Sequence, residues 1–192
     1  MRIAKEYTGS KIEALSRDGY CATGGRSPGR TKADDTSSSE PATPISDVAP
    51  VASGLSISKI TVMQTVNIAI MENQRDIPTR TAPVVAGKDA IMRVYVSPDS
   101  NFQARTIVAR LSLQTAGMDI PDEEISMQVT GSSSDSAGGS TFNFMLDSGV
   151  LSGSLNYSVE LFEASADADY GAPHVNARWP VEGKTRVAEQ NP

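Results

Sequence analysis

Side chains that bind soft metals or act as nucleophiles are scarce in this 192-residue sequence, which contains one cysteine, Cys21, and one histidine, His174. A single cysteine excludes an intramolecular disulfide, and the two residues together are too few for a zinc site made of cysteine and histidine. A Ser-His-Asp or Cys-His arrangement would have to use His174, which follows Pro173 at the start of a predicted strand. We interpret His174 as a solvent-facing residue at a strand end rather than as a catalytic base.

Known catalytic motifs are missing as well. The sequence has no HExxH motif, no GxSxG motif and no Gly-rich phosphate loop with GK[ST]. Because no cluster of polar residues stands out as an active site, we predict a protein without enzymatic activity and without a cofactor. The formal net charge of -6 argues against a nucleic-acid partner, since nucleic-acid-binding domains carry a basic surface.

Hydrophobic residues are also few, at 39% of the sequence with 5% aromatic, and the shortage is concentrated at the N-terminus. Residues 1–54 contain 6 Gly, 4 Pro, 8 Ser and 5 Thr, and their apolar residues are scattered, with no run at a period of 2 or 3.6. Such a segment buries too little apolar surface to offset the entropic cost of ordering it, about 1–2 kcal/mol per residue. We therefore predict a disordered low-complexity tail over 1–54 and a folded, acidic domain over 55–192.

The rest of the sequence is dominated by apolar residues at alternate positions, which is typical of strands with one buried face. The alternating segments are 57–71, 92–96, 107–113, 125–129, 142–146, 155–161 and 175–181. Turn-forming residues separate them, and no long segment has a helical period. Seven strands of this kind predict an all-β domain, an immunoglobulin-like or fibronectin-III-like β-sandwich. Gln64 interrupts the first segment, which indicates a bulge or a switch between sheets.

Two loops are candidates for ligand binding. Glu163, Asp167 and Asp169 place three carboxylates in the loop that ends at Gly171, and carboxylates from loops are ligands that Ca²⁺ prefers. The spacing does not match an EF-hand, so a solvated acidic turn is the alternative interpretation. The hydroxyl-rich loop over 131–139 is suited to contacting a carbohydrate or a protein partner, or is a solvated connector.

The N-terminal residues do not form a leader sequence as written. A signal peptide needs an uninterrupted apolar stretch, and charged residues at Lys5, Glu6, Lys11 and Glu13 break up the first 15 positions. We expect no signal peptide and no transmembrane segment in the sequence given.

A longer pattern resembles a known type of domain. The runs Gln64-Thr-Val66, Ala82-Pro-Val-Val-Ala-Gly-Lys88, Met92-Arg-Val-Tyr-Val96 and Ala104-Arg-Thr-Ile-Val-Ala-Arg-Leu111 resemble an N-terminal domain of large exported, lipoprotein-type proteins of myxobacteria-like bacteria. Some of those proteins resemble zinc metallopeptidases in a later region. The resemblance covers about residues 57–181 and implies an extracellular or cell-surface location.

Together these observations predict a non-catalytic interaction or accessory module of an exported bacterial protein. Its partner would be another protein or a downstream domain of the parent chain, and a catalytic region would be absent from this fragment. A calcium-dependent or carbohydrate-binding module is one alternative, and an accessory domain of a zinc metallopeptidase is another. The sequence does not indicate an oligomeric state.

Overall fold

The computed structural model describes four stretches of the chain, 49–151, 155–167, 169–187 and 189–190. Within them the backbone forms strands joined by turns and by the short 3-10 helices Gly138–Ser140 and Val175–Ala177. In chain order the strands are β1 (Leu55–Met63), β2 (Asn67–Glu72), β3 (Arg75–Asp76), β4 (Val84–Val85), β5 (Ala90–Pro98), β6 (Arg105–Thr115), β7 (Met118–Val129), β8 (Phe142–Leu146), β9 (Asn156–Glu163), β10 (Arg178–Trp179), β11 (Thr185–Arg186) and β12 (Glu189–Gln190). The predicted tail falls outside the described residues as far as residue 48.

Two antiparallel sheets form a β-sandwich, as the sequence predicts. The first sheet has the strand order β3-β2-β1-β5-β8, and the second has the order β10-β9-β6-β7. The strand β11 also pairs with β9, at residues nearer to the start of β9 than those that pair with β10. The strands β4 and β12 form a separate parallel pair. Seven of the described strands have five or more residues, and the other five have two residues each. The five middle segments of the alternating pattern each lie on one long strand, whereas the segment 57–71 forms both β1 and β2 and the segment 175–181 forms a 3-10 helix and the short β10.

The core lies between the sheets and is formed by the alternating residues. On β6, for example, Ile107, Ala109 and Leu111 are buried, whereas Val108 and Arg110 between them lie on the outer face. Each large apolar side chain that is fully buried stabilises the fold by about 1.5–3 kcal/mol. Residues of both sheets belong to a single buried cluster, so the sandwich has one continuous core.

The predicted burial is wrong where a segment is not a strand. Val66 is 51% exposed because it lies in the turn between β1 and β2, and Val175 is 69% exposed because it lies in a 3-10 helix. Val181 is 51% exposed in the loop after β10. Side chains point inward at every second residue only where the backbone is extended, and these three residues do not lie in strands.

Gln64 marks a hairpin turn rather than a bulge or a switch between sheets. The register pairs Met63 with Asn67 and Val62 with Ile68, so β1 and β2 are antiparallel neighbours in one sheet. The Gln64 side chain lies on β4, where its Nε2 donates to the Val85 carbonyl at 2.8 Å and its Oε1 accepts from the Val85 amide at 2.9 Å. The Gln64 side-chain amide therefore makes the two main-chain hydrogen bonds with Val85 that a neighbouring strand would otherwise make.

The switch between sheets occurs at Gly54, ten residues earlier. The Ala52 amide donates to the Leu161 carbonyl of β9 at 2.8 Å, and Val51 forms a bridge with Phe162, so this segment pairs with the second sheet. At Gly54 the backbone has a φ of 60°, which favours glycine, and the chain then enters β1 in the first sheet. Residues 49–54, which composition groups with the tail, thus pack on the domain, and Ala52 is fully buried.

Candidate functional site

A buried ion pair lies at one end of the sandwich, which we call the Arg105 end. The Arg105 Nε and Nη2 atoms donate to the two carboxylate oxygens of Glu163, each at 2.7 Å. The two side chains are only 9% and 3% exposed. Two parallel hydrogen bonds between a guanidinium and a carboxylate fix both groups in direction as well as distance.

Neighbouring groups satisfy the remaining polar atoms of this pair. Arg105 Nη2 also donates to the Ser53 carbonyl at 2.7 Å, and Nη1 donates to the Gln103 carbonyl at 3.0 Å. The Ser53 amide in turn donates to Glu163 Oε1 at 3.0 Å. These bonds offset part of the cost of removing two charges from water, and they hold the incoming chain against β6 and β9.

Two aromatic rings cover the guanidinium. The Arg105 Cζ atom lies 4.3 Å from the centroid of the Phe102 ring and 4.0 Å from that of the Tyr170 ring. Cation–π contacts of this kind stabilise the rings as well as the cation. Tyr170 is nevertheless 48% exposed, because it also faces solvent at the tip of the β9–β10 connection.

Clefts of about 530 and 520 Å³ open beside Tyr170, and Arg105, Asp169 and Tyr170 border both of them. Thr106 and Ser165 are among the other residues of the first cleft, and Asp99, Asn101 and Gln103 are among those of the second. Both clefts are open; polar groups predominate in the lining of the second, and the first has polar and apolar surface in about equal parts. The Arg105 end therefore presents an exposed aromatic ring surrounded by carboxylate, amide and hydroxyl groups.

The three carboxylates predicted to bind calcium border the first cleft, but the structure gives them different roles. Glu163 is buried, and its oxygens accept hydrogen bonds from Arg105 and Ser53. Asp169 Oδ1 accepts from the Gly171 amide at 3.4 Å, and Asp167 is exposed. Within the described parts of the chain, no group of three or more His, Cys, Asp or Glu residues is arranged to hold a metal ion.

The position of Arg105 and Glu163 in the alternating pattern could have revealed this pair. Arg105 continues the inward positions of β6 that begin at Ile107, and Glu163 continues those of β9 that end at Leu161. Opposite charges at inward positions of neighbouring strands predict a buried ion pair, because a single buried charge is far more costly. Sequence reasoning recognised Glu163 as an acidic loop residue and did not consider Arg105.

His174 caps a 3-10 helix at the same end of the sandwich. Its Nδ1 accepts a hydrogen bond from the Asn176 amide at 3.0 Å, and its Nε2 lies 3.7 Å from Asp99 Oδ2. With Nδ1 accepting, the neutral ring carries its proton on Nε2, which faces the carboxylate. Both ring nitrogens therefore face groups of the protein itself.

The hydroxyl-rich loop folds back on the outer face of the first sheet. Asp135 accepts hydrogen bonds from the Tyr95 hydroxyl at 2.5 Å and from Lys59 Nζ at 3.0 Å, and the Ser133 amide donates to the Val96 carbonyl at 2.9 Å. The Tyr95 hydroxyl, and after it the Lys59 ammonium, lower the pKa of the Asp135 carboxyl below its ordinary value. The loop is therefore held by specific contacts and is more than a solvated connector.

Comparison with known proteins adds no family to this description. No protein-family model matches the chain, and no curated protein shows a significant match to it. Among the described residues, no helix has the length and apolar composition needed to cross a bilayer.

Proposed function

We propose that this chain is a non-catalytic binding module of an exported or cell-surface bacterial protein, and that it binds its partner at the Arg105 end. The observation that supports this best is the exposed Tyr170 ring fixed on the buried Arg105–Glu163 pair. Aromatic side chains that are held in place by their neighbours contribute strongly to binding energy, because they offer a large contact area and lose little side-chain entropy on binding. Loops held by a rigid scaffold are also where binding residues concentrate.

The environment of the ionisable groups favours a binding role over a catalytic one. Arg105 and Glu163 neutralise each other, and the Nδ1 atom that would serve as a base on His174 already accepts a hydrogen bond. A general base needs a free acceptor within hydrogen-bond distance of the reacting group. The proposed location and accessory role rest on the sequence resemblance. From the same resemblance we infer that the partner is another domain of the parent protein, such as a peptidase-like domain.

A carbohydrate is the second candidate partner, favoured by the composition of the two clefts. The exposed side of the Tyr170 ring is available for stacking on a sugar. Beside it, Asp169, Asn101 and Gln103 supply acceptors and donors for the sugar hydroxyl groups. This combination of an apolar platform with a few polar groups is suited to a polyhydroxylated ligand.

A site-specific photocrosslinker tests the protein partner. The full chain, carrying a benzophenone amino acid at position 170, is expressed in cells of its source organism, and a second protein carries it at Val175. Val175 is 69% exposed and lies at the same end, but it borders neither cleft. We expect a defined crosslinked protein from position 170 and none from position 175. Equal crosslinking from both positions, or crosslinks to many unrelated proteins, would contradict the proposal.

A polysaccharide array tests the carbohydrate candidate. Wild type, Tyr170→Ala and Val175→Ala are applied to the same array and their unfolding midpoints are compared first. The affinity for any glycan that the wild type binds should fall about tenfold or more in the Tyr170→Ala protein and stay unchanged in the Val175→Ala protein. Binding that survives the loss of Tyr170 would place the carbohydrate elsewhere on the molecule.

A further inference from the structure

The edges of the two sheets differ in how well they are protected from further pairing. Natural proteins protect exposed edges with charges, prolines or very short strands. The edge strand β3 has only two residues, both charged, and β7 contains Pro121 and a run of carboxylates. Among the edge strands that the structure describes, β8 (Phe142–Leu146) is the one with five residues and neither a charge nor a proline.

The strand β7, which contacts β8, carries several acidic side chains. The strand β7 is the edge of the second sheet and contacts β8, so both edges lie on the same side of the sandwich. Asp119 and Glu124 of β7 are paired with Lys184 and Arg110. Asp122 and Glu123 are exposed and have no ion-pair partner among the described residues. Glu123 pairs in register with the buried Leu111 and is itself exposed, as expected at an uncovered edge.

A small cleft lies on the same side. It has a volume of about 230 Å³ and separates the end of β7 from the turn that precedes β8. Gly131, Ala137 and Gly139 are among its lining residues, together with Met127 and Gln128 of β7. Pockets beside an open edge can take the alternate side chains of an added strand.

We propose that β8 is a docking edge for an extended segment of a partner protein in which basic and apolar residues alternate. Side chains of an added strand would point alternately to the two faces of the first sheet. Those on the inner face would lie toward the carboxylates of β7, which favours lysine or arginine. Those on the outer face would lie beside Asn143 and beside Met145, which is 61% exposed, and this favours apolar residues.

Charge distinguishes this partner from a second copy of the chain. Pairing two β8 edges would also bring the two β7 strands close together, with Asp122 and Glu123 on both. Like charges brought together across an interface disfavour association, whereas a basic segment neutralises them. The edge is therefore suited to a basic strand.

Fluorescence anisotropy with short labelled peptides tests the proposal on the full chain. The probes are an alternating Lys-Val hexapeptide, the matching Glu-Val hexapeptide, and the Lys-Val peptide N-methylated at every second residue. We expect the unmodified Lys-Val peptide to bind about tenfold or more tighter than either of the others, because the first control reverses the charge and the second prevents main-chain pairing. The double variant Asp122→Asn/Glu123→Gln should weaken binding about fivefold or more.

Controls separate this site from the Arg105 end and from general charge attraction. Tyr170→Ala should leave the affinity for the Lys-Val peptide unchanged, so the two proposals fail independently. Equal binding of the methylated peptide would mean attraction by charge alone and would overturn the docking edge. Dimerisation of the wild-type chain in sedimentation, abolished by Met145→Lys with an unchanged unfolding midpoint, would assign the edge to a second copy and would also overturn the proposal.

Discussion

At the scale of single residues, the Arg105–Glu163 pair determines how the Arg105 end is held together. Removing one partner of a buried pair leaves an uncompensated charge, which costs about 3–5 kcal/mol. We expect Glu163→Gln to lower the free energy of unfolding by about that amount, measured by urea denaturation. Glu160→Gln on the outer face of the same strand is the control and should change it by about 0.5 kcal/mol or less. A similar loss in both variants would mean that the pair has no special role.

Asp135 gives a second prediction at this scale, through its pKa. Because its folded-state pKa is lowered, the carboxyl stabilises the fold fully above the unfolded-state value of about 3.9 and loses this effect as the pH falls below it. Wild type should exceed Asp135→Asn in stability at pH 7 by less than about 1 kcal/mol, since the side chain is 60% exposed. In urea titrations the difference should shrink as the pH falls below the unfolded-state value and through the lowered pKa of the folded state. A constant difference would contradict the pKa assignment.

At the scale of elements, Gln64 ties the β1–β2 hairpin to β4. Its replacement by alanine removes the partners of both main-chain groups of Val85, at a cost of about 1 kcal/mol or less because water reaches this half-buried site. We expect amide hydrogen exchange in Gln64→Ala to accelerate at Val85 and its neighbours, with β6 and β9 unaffected. Thr65→Ala, in the same turn and exposed, is the matched control. Unchanged exchange at Val85 would show that β4 is held by other contacts.

Alternation in the sequence predicts elements of this fold well where a strand has one buried face. The inward residues of β6 and β8 follow directly from it, because most residues on their outer faces are polar or exposed. It does not predict the hairpin at Gln64 or the switch at Gly54, because both depend on which strands become neighbours, and a period of two carries no such information. The ion pair at Arg105 could be predicted from position. Its contacts with Ser53, which is 52 positions away, and with the Tyr170 ring could not, because they depend on how distant loops pack together.

At the scale of the whole molecule, the unfolding midpoint tests whether the domain binds calcium. A site with a dissociation constant of about 0.1 mM would raise the stability by about 2 kcal/mol in about 5 mM Ca²⁺, and the midpoint by about 4 °C or more. Because Arg105 and Ser53 occupy the Glu163 oxygens, we expect a shift below about 1 °C in differential scanning fluorimetry. Magnesium at equal ionic strength is the control. A calcium-specific shift of several degrees would restore the interpretation of Glu163, Asp167 and Asp169 as ligands.

The chain enters and leaves the sandwich at opposite ends of β9. Pro50 accepts a hydrogen bond from Glu163 where β9 ends, and Val187 donates to Leu155 just before β9 begins. A strand of this length spans about 25 Å, and the entering and leaving segments run along it in the same direction. If the two termini are pulled apart, tension acts parallel to the strands, so the hydrogen bonds along β9 resist it together in shear instead of opening one after another. Force applied between the two ends of the domain would therefore meet these hydrogen bonds in parallel, which is the arrangement that resists it most strongly.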